Sequence, residues 1–208
     1  RADGFQVRAG ARLTGGTVSV SDNTIVADEN GVEFGAGSPS IEGGADVFVL
    51  SNTINATLDG IYVDDDITGA GTTFTAKNNT ITAGDDGVDI DNVRNGAVVS
   101  IGGAGSSDGN RITADGNGIE FDAGIDATVL IQKNRISAGA DGVNVRDDDD
   151  GHTTAIDTGA NVKILDNKIG SEDSDSIGGH GINVEESVTG GSYLEIARNL
   201  ALGNAEVI

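Results

Sequence analysis

NTITAGDDGVDI, residues 79–90, and NRITADGNGIEF, residues 110–121, are one phrase written twice: Asn-x-Ile-x-Ala, three spacers, then Gly-apolar-x-apolar. The same phrase starts at Asn23 (NTIVADENGVEF), Asn52 (NTINATLDGIYV) and Asn134 (NRISAGADGVNV). A sixth copy opens at Asn167 as NKIG, is interrupted by SEDSDSIGGH, and resumes at Gly181 as GINV. A seventh, from Asn199, is degenerate. Ahead of the ladder of Asn residues runs a second alternating segment: TVSVSD, DVFVLS, TFTAKN, TVLIQK, NVKILD and YLEIAR. In the fourth coil its counterpart is AVVSI, followed by the insertion GGAGSSDG.

The Asn residues stand 29, 27, 31, 24, 33 and 32 positions apart, too irregular for helical arrays whose units hold their length. The apolar period is two, so the segments are strands. Three short strands per coil, with coils stacked about 4.8 Å apart, make a right-handed, single-stranded parallel β-helix of about seven coils. The rest of each coil supplies the crossover that parallel pairing requires. Residues 1–208 read as one domain.

The inward columns follow from the phrase. One is Val32, Ile61, Val88, Ile119, Val143, Ile182; the next is Phe34, Val63, Ile90, Phe121, Val145, Val184. A third is Ile25, Ile54, Ile81, Ile112, Ile136, Ile169, followed by small residues at Ala27, Ala56, Ala83, Ala114, Ala138 and Ser171. Asn23, Asn52, Asn79, Asn110, Asn134, Asn167 and Asn199 are expected to stack as an amide ladder, each bonding to its neighbours. They sit at a corner where Asn tolerates the left-handed conformation. Gly31, Gly60, Gly87, Gly118, Gly142 and Gly181 precede a strand, where a positive φ or a close backbone approach calls for Gly.

Composition narrows the partners. The chain has 33 Gly, one Pro, no Cys, Met or Trp, and 34 acidic against 12 basic residues, a net charge of -22. Such acidity repels nucleic acid and anionic membrane surfaces, and favours cations. Without Cys there is no disulfide scaffold or thiol chemistry. No run of about 18 apolar residues offers a membrane span. No signal peptide is legible, so the chain reads as cytosolic, processed or a fragment.

The Asn-x-Ile and Gly-Ile/Val-x-Val/Phe signature, from about Gly4 onward, resembles the parallel β-helix repeat proteins. That group includes polysaccharide lyases and epimerases, phage tailspikes, autotransporter passengers and giant surface adhesins. The Gly/Asp/Thr-rich, low-aromatic style most resembles a segment of a bacterial autotransporter passenger or surface adhesin. The resemblance implies an extracellular or cell-surface location, with a cell-surface ligand or polysaccharide as partner.

Chemistry is expected on the acidic face. Two columns read as outward-facing: Glu33, Tyr62, Asp89, Glu120, Asn144, Asn183, and Gly35, Asp64, Asp91, Asp122, Arg146, Glu185. Asp64-Asp65-Asp66 and Asp147-Asp148-Asp149-Asp150 overhang them, in the segment of each coil that varies most. Carboxylates at rung spacing repel, which raises pKa values or recruits a cation. Asp64, Asp89, Asp91, Glu120 and Asp122 form the candidate set for Ca²⁺, the hard ion that tolerates irregular oxygen geometry. The competing reading is a solvated face that keeps the solenoid soluble. No nine-residue calcium-roll repeat and no DxDxDG loop is present.

By resemblance to the lyases, Arg146 or Arg94 would act as base beside bound Ca²⁺, although Arg146 also reads as the ion partner of Asp122. Only Tyr62 and Tyr193 offer outward aromatic platforms for a sugar. His152, and His180 with Ser174 and Asp175, read as loop residues. Arg111, Arg135 and Lys168, with Lys133 and Arg198, read as local balance for Asp166 and Glu172. GFQV and AEVI occupy the same phase of the coil, so the expectation is a segment of a longer solenoid or a head-to-tail assembly. The function expected is a structural or adhesive stalk segment with an acidic, Ca²⁺-binding face. A polysaccharide lyase or hydrolase, and a self-assembling extracellular filament subunit, are the alternatives.

Overall fold

Each of the first six copies of the phrase folds into two strands and the run ahead of it into a third. The computed structural model describes residues 2–7, 12–35, 41–146, 154–170, 178–185 and 187–201. The Gly-apolar-x-apolar strands, among them Val32–Phe34, Ile61–Thr68, Val88–Arg94, Ile119–Phe121 and Val143–Val145, pair in parallel as a first sheet. The preceding runs, from Thr17–Ser21 to Tyr193–Ala197, form a second sheet of seven strands. The Asn-x-Ile strands, from Thr24–Ala27 to Leu200–Ala201, form a third, also of seven. In every sheet a strand pairs with the equivalent strand of the next coil. The chain is an all-β parallel solenoid of about six turns. Seven strands in a column enclose six intervals, which accounts for the difference from about seven coils.

The expected columns are the observed pairing register: Ile81 pairs with Ile54 and Ile112, and Ile90 with Val63 and Phe121. Val32, Ile61, Val88, Ile119, Val143, Phe34, Val63, Ile90 and Phe121 are all buried. Burial of each large aliphatic side chain contributes about 1.5–3 kcal/mol. Phe34 packs edge-on against Phe74 of the second sheet, with ring centroids 6.0 Å apart. A further column went unread. Ile41, Ile67, Val93, Ile125 and Ile156 line up in the stretch expected to vary most, and all are buried. Ser171 lies outside the described residues.

The Asn ladder is complete. Each side-chain Nδ2 donates to the next Asn Oδ1, at 3.0 Å from Asn23 to Asn52 and 2.9 Å from Asn110 to Asn134. The series continues through Asn79, Asn167 and Asn199. The same Oδ1 also accepts the backbone N–H of the Asn one coil earlier, as Asn110 does from Asn79 at 3.0 Å. The second Nδ2 hydrogen reaches a carbonyl of the second sheet, Ala76 O at 2.9 Å for Asn110.

One local expectation needs correction, and the two branches of another resolve into one. The left-handed corner is the residue before the ladder Asn, not the Asn itself: Asp22, Ser51, Asn78, Lys133, Asp166 and Arg198 have φ of 54–59°. Nor does the glycine column have positive φ. Close approach explains it. A Cβ on Gly87 would lie 2.2 Å from Ile112 Cγ2 and 2.5 Å from Gly118 O of the next coil.

Candidate carboxylate site

The residue before each of those glycines builds a second ladder. Asn30 Oδ1 accepts the Asp59 N–H at 3.1 Å, Asp59 Oδ1 accepts the Asp86 N–H at 3.0 Å, and Asn117 Oδ1 accepts the Asp141 N–H at 2.9 Å. Asp3 begins the series, Asp86 bonds the Asn117 N–H, and Asp141 bonds the His180 N–H. Asp and Asn serve equally because only an acceptor oxygen is needed. The series was present in the sequence as the recurrent Asp-Gly or Asn-Gly pair, of which only the glycine was singled out.

This corner points its carboxylates at the first sheet. Asp89 and Glu120 are neighbours across adjacent strands. They were expected to face solvent, yet Asp89 is 8% exposed and Glu120 3%. Their parity is outward, but corner and flank side chains close over them. Asn117 Nδ2 donates to Glu120 Oε2 at 2.9 Å, and Asn144 Nδ2 to Glu120 Oε1 at 2.9 Å. Arg146 Nε lies 3.0 Å from Glu120 Oε1 and 2.8 Å from Asp122 Oδ1. The pairing of Arg146 with Asp122 expected from sequence is therefore present.

Of the five carboxylates named from sequence, Asp89, Glu120 and Asp122 come together, one oxygen from each lying within 4.8 Å of the others. Asp59, Asp86 and Asp89 form a second such group. Asp59 and Asp86 were missed because their spacer position looked like loop. Asp64 and Asp91 lie to the side, where the register shifts after Ile90 and the Asp64-Asp65 pair stands against Asp91. Asp64 Oδ1 accepts the Tyr62 hydroxyl at 2.8 Å.

The electrostatics follow from burial among like charges. Desolvation, then Asp122, Asp59, Asp86 and Glu120, raises Asp89 to about 9. Desolvation, then Asp64 and Asp122, raises Asp91 to about 7. Asp59 rises to about 6, chiefly through burial. Asp86 is raised by burial and by its hydrogen bond with Glu120. Burial would raise Glu120 as well, but hydrogen bonds with Asp86, Asn117 and Asn144 and the Arg146 charge outweigh it and hold Glu120 low. One carboxylate oxygen, Asp89 Oδ1, is buried without any hydrogen-bond partner.

No family model matches this chain, and neither does any curated protein or solved structure.

Elsewhere the sequence candidates are dispersed. Arg94 lies 3.7 Å from Asp66, away from the carboxylate cluster. Arg198 pairs with Asp166 at 2.7 Å, the local balance expected there, whereas Glu172 lies outside the described residues. Tyr193 is exposed and bonds Glu195 at 3.2 Å. His180 Nδ1 stands 3.3 Å from Asp141. The 147–150 aspartate run, His152, Ser174 and Asp175 lie outside the described residues.

Proposed function

We propose that this chain is a rigid structural or adhesive stalk segment of a secreted or cell-surface bacterial protein, with an acidic face that takes Ca²⁺. The observation that carries the reading is the continuity of the Asn ladder, which joins Asn23 to Asn199 without a break. With three parallel sheets alongside, tension between coils is shared by many backbone and side-chain bonds. Six coil intervals of about 4.8 Å give a rod roughly 29 Å long. Such a rod holds a ligand-binding element away from a surface, and its exposed faces can meet a polysaccharide or a cell-surface ligand.

Arg146 is held in two ion pairs, which disfavours it as a free base for a lyase reaction. The test is labelling with antibodies raised against the folded chain, on intact and on permeabilised producing cells. Labelling of intact cells is the expected result. Labelling confined to permeabilised cells would overturn the proposal.

A further inference from the structure

We propose that Asp59, Asp86 and Asp89, bounded by Glu120, form the seat of one hard divalent cation, Ca²⁺ by preference, that ties two successive coils together. The inference deepens the acidic-face part of the function proposed above and rests on that part alone.

Two independent observations converge. The first is geometric: one oxygen from each of Asp59, Asp86 and Asp89 lies within 4.8 Å of the other two. Oxygens around Ca²⁺ sit about 2.3–2.6 Å from the ion, so its coordination sphere is about 4.6–5.2 Å across. Mg²⁺ demands a near-regular octahedron, a stricter requirement than side chains from successive coils impose. The second observation is Asp89 Oδ1, an oxygen of a side chain 8% exposed, which has no hydrogen-bond donor. An orphaned buried carboxylate oxygen is expensive, and this one belongs to the residue that the Asp59–Asp86–Asp89 and Asp89–Glu120–Asp122 groups share.

The neighbouring charges select which carboxylates remain for an ion. Arg146 is already paired with Glu120 and Asp122. The other Arg and Lys ion pairs among the described residues involve Glu42, Asp108, Asp66, Glu195 and Asp166. Asp59, Asp86 and Asp89 are left with no basic partner among them. The all-oxygen set, without His or Cys, is that of a hard cation and not of zinc.

The seat also has a structural consequence. Asp59 lies one coil before Asp86 and Asp89, and Glu120 one coil after. A cation held there would cross-link the coils on the first sheet, where carboxylates at rung spacing otherwise push them apart. This differs from the set named from sequence, because Asp64 is engaged by Tyr62 and Asp91 stands beyond the register shift.

Tyr62 makes the seat observable. It pairs with Asp89 on the adjacent strand, and the chain has only two tyrosines. Terbium(III), a luminescent substitute for Ca²⁺, should therefore show tyrosine-sensitised emission that CaCl₂ displaces and matched NaCl does not. Asp89→Asn should weaken Ca²⁺ competition at least tenfold while melting in chelator no lower than the parent. Asp59→Asn serves as the second variant should Asp89→Asn fold poorly, and exposed Asp28→Asn should leave binding unchanged. Tyr62→Phe should lose emission but keep the Ca²⁺-dependent rise in Tm. Emission that Ca²⁺ cannot displace, Asp89→Asn and Asp59→Asn binding like the parent, or full emission from Tyr62→Phe would each overturn the seat. A flat titration removes the seat and leaves the stalk; labelling only of permeabilised cells removes the stalk and leaves the seat.

Discussion

Asn110→Ala removes one rung from the middle of the amide ladder. Asn110 is 2% exposed. Its Nδ2 donates to Ala76 O and Asn134 Oδ1, each at 2.9 Å, while its Oδ1 accepts from Asn79 N and Asn79 Nδ2, each at 3.0 Å. Alanine satisfies none of the four. Asn79 Nδ2 retains Val49 O, and Asn134 Oδ1 retains the Asn110 N–H. The Asn79 backbone N–H is left buried without its partner. Four bonds at about 0.5–1.5 kcal/mol each, with the orphan toward the upper end, give a loss of roughly 3–4 kcal/mol. For a chain of this length that corresponds to a fall in Tm of roughly 6–16 °C. The assay is a circular-dichroism melt beside Asn55→Ala, which alters an exposed Asn at the centre of a third-sheet strand. That control should stay within about 0.5 kcal/mol of the parent. Equal losses at Asn110 and Asn55 would refute the ladder as a source of stability. Asn117→Ala should fall between them, because Asn117 has a rung of its own at the other corner.

Three further outcomes follow from the packing and the charges. Ile90→Asp places a charge where the side chain is 0% exposed, and should cost more than about 4 kcal/mol in a urea titration; an unchanged midpoint would refute the register. Gly87→Ala should lose about 1–3 kcal/mol by overpacking against Ile112 and Gly118, while Gly190→Ala, with open space around it, should be neutral; matching melts would remove the close-approach explanation. In chelator, Tm should fall as pH rises from about 5 to about 9, because Asp59, Asp91 and Asp89 have folded pKa values of about 6, 7 and 9, above their unfolded value of 3.8. The stability of their protonated forms is complete below about pH 4 and is lost through those values, whereas Glu120, held low, acts in the opposite sense in acid. A Tm that is flat or rising over that range in chelator would contradict the burial of these carboxylates.

The three sheets, the inward columns and the Asn ladder were legible because each depends on a short repeated spacing. Alternation of period two places Ile81, Ile90 and Ile112 inside without knowledge of the rest of the coil. What stayed hidden depends on the turns. The Ile41, Ile67, Val93, Ile125 and Ile156 column lies where coil length drifts, so its register is not constant relative to the Asn. Parity correctly put Asp89 and Glu120 on the outer side of the sheet, but not their depth. Asn117 folds over Glu120 from the corner of its own coil, and Asn144 and Arg146 from the next coil; strand alternation carries no information about that. Asp59 and Asp86 escaped for a related reason: their role needs the corner to aim them, while the sequence shows only a polar residue before Gly.

The central claim is that the buried carboxylates of the first sheet are reconciled by a metal ion and not merely by protons or diffuse salt. A thermal melt near neutral pH, in chelator, in millimolar Ca²⁺ and in NaCl of matched ionic strength, tests it most directly. A rise in Tm specific to Ca²⁺ is the predicted result. Equal rises in Ca²⁺ and NaCl would show charge screening alone and would contradict the claim.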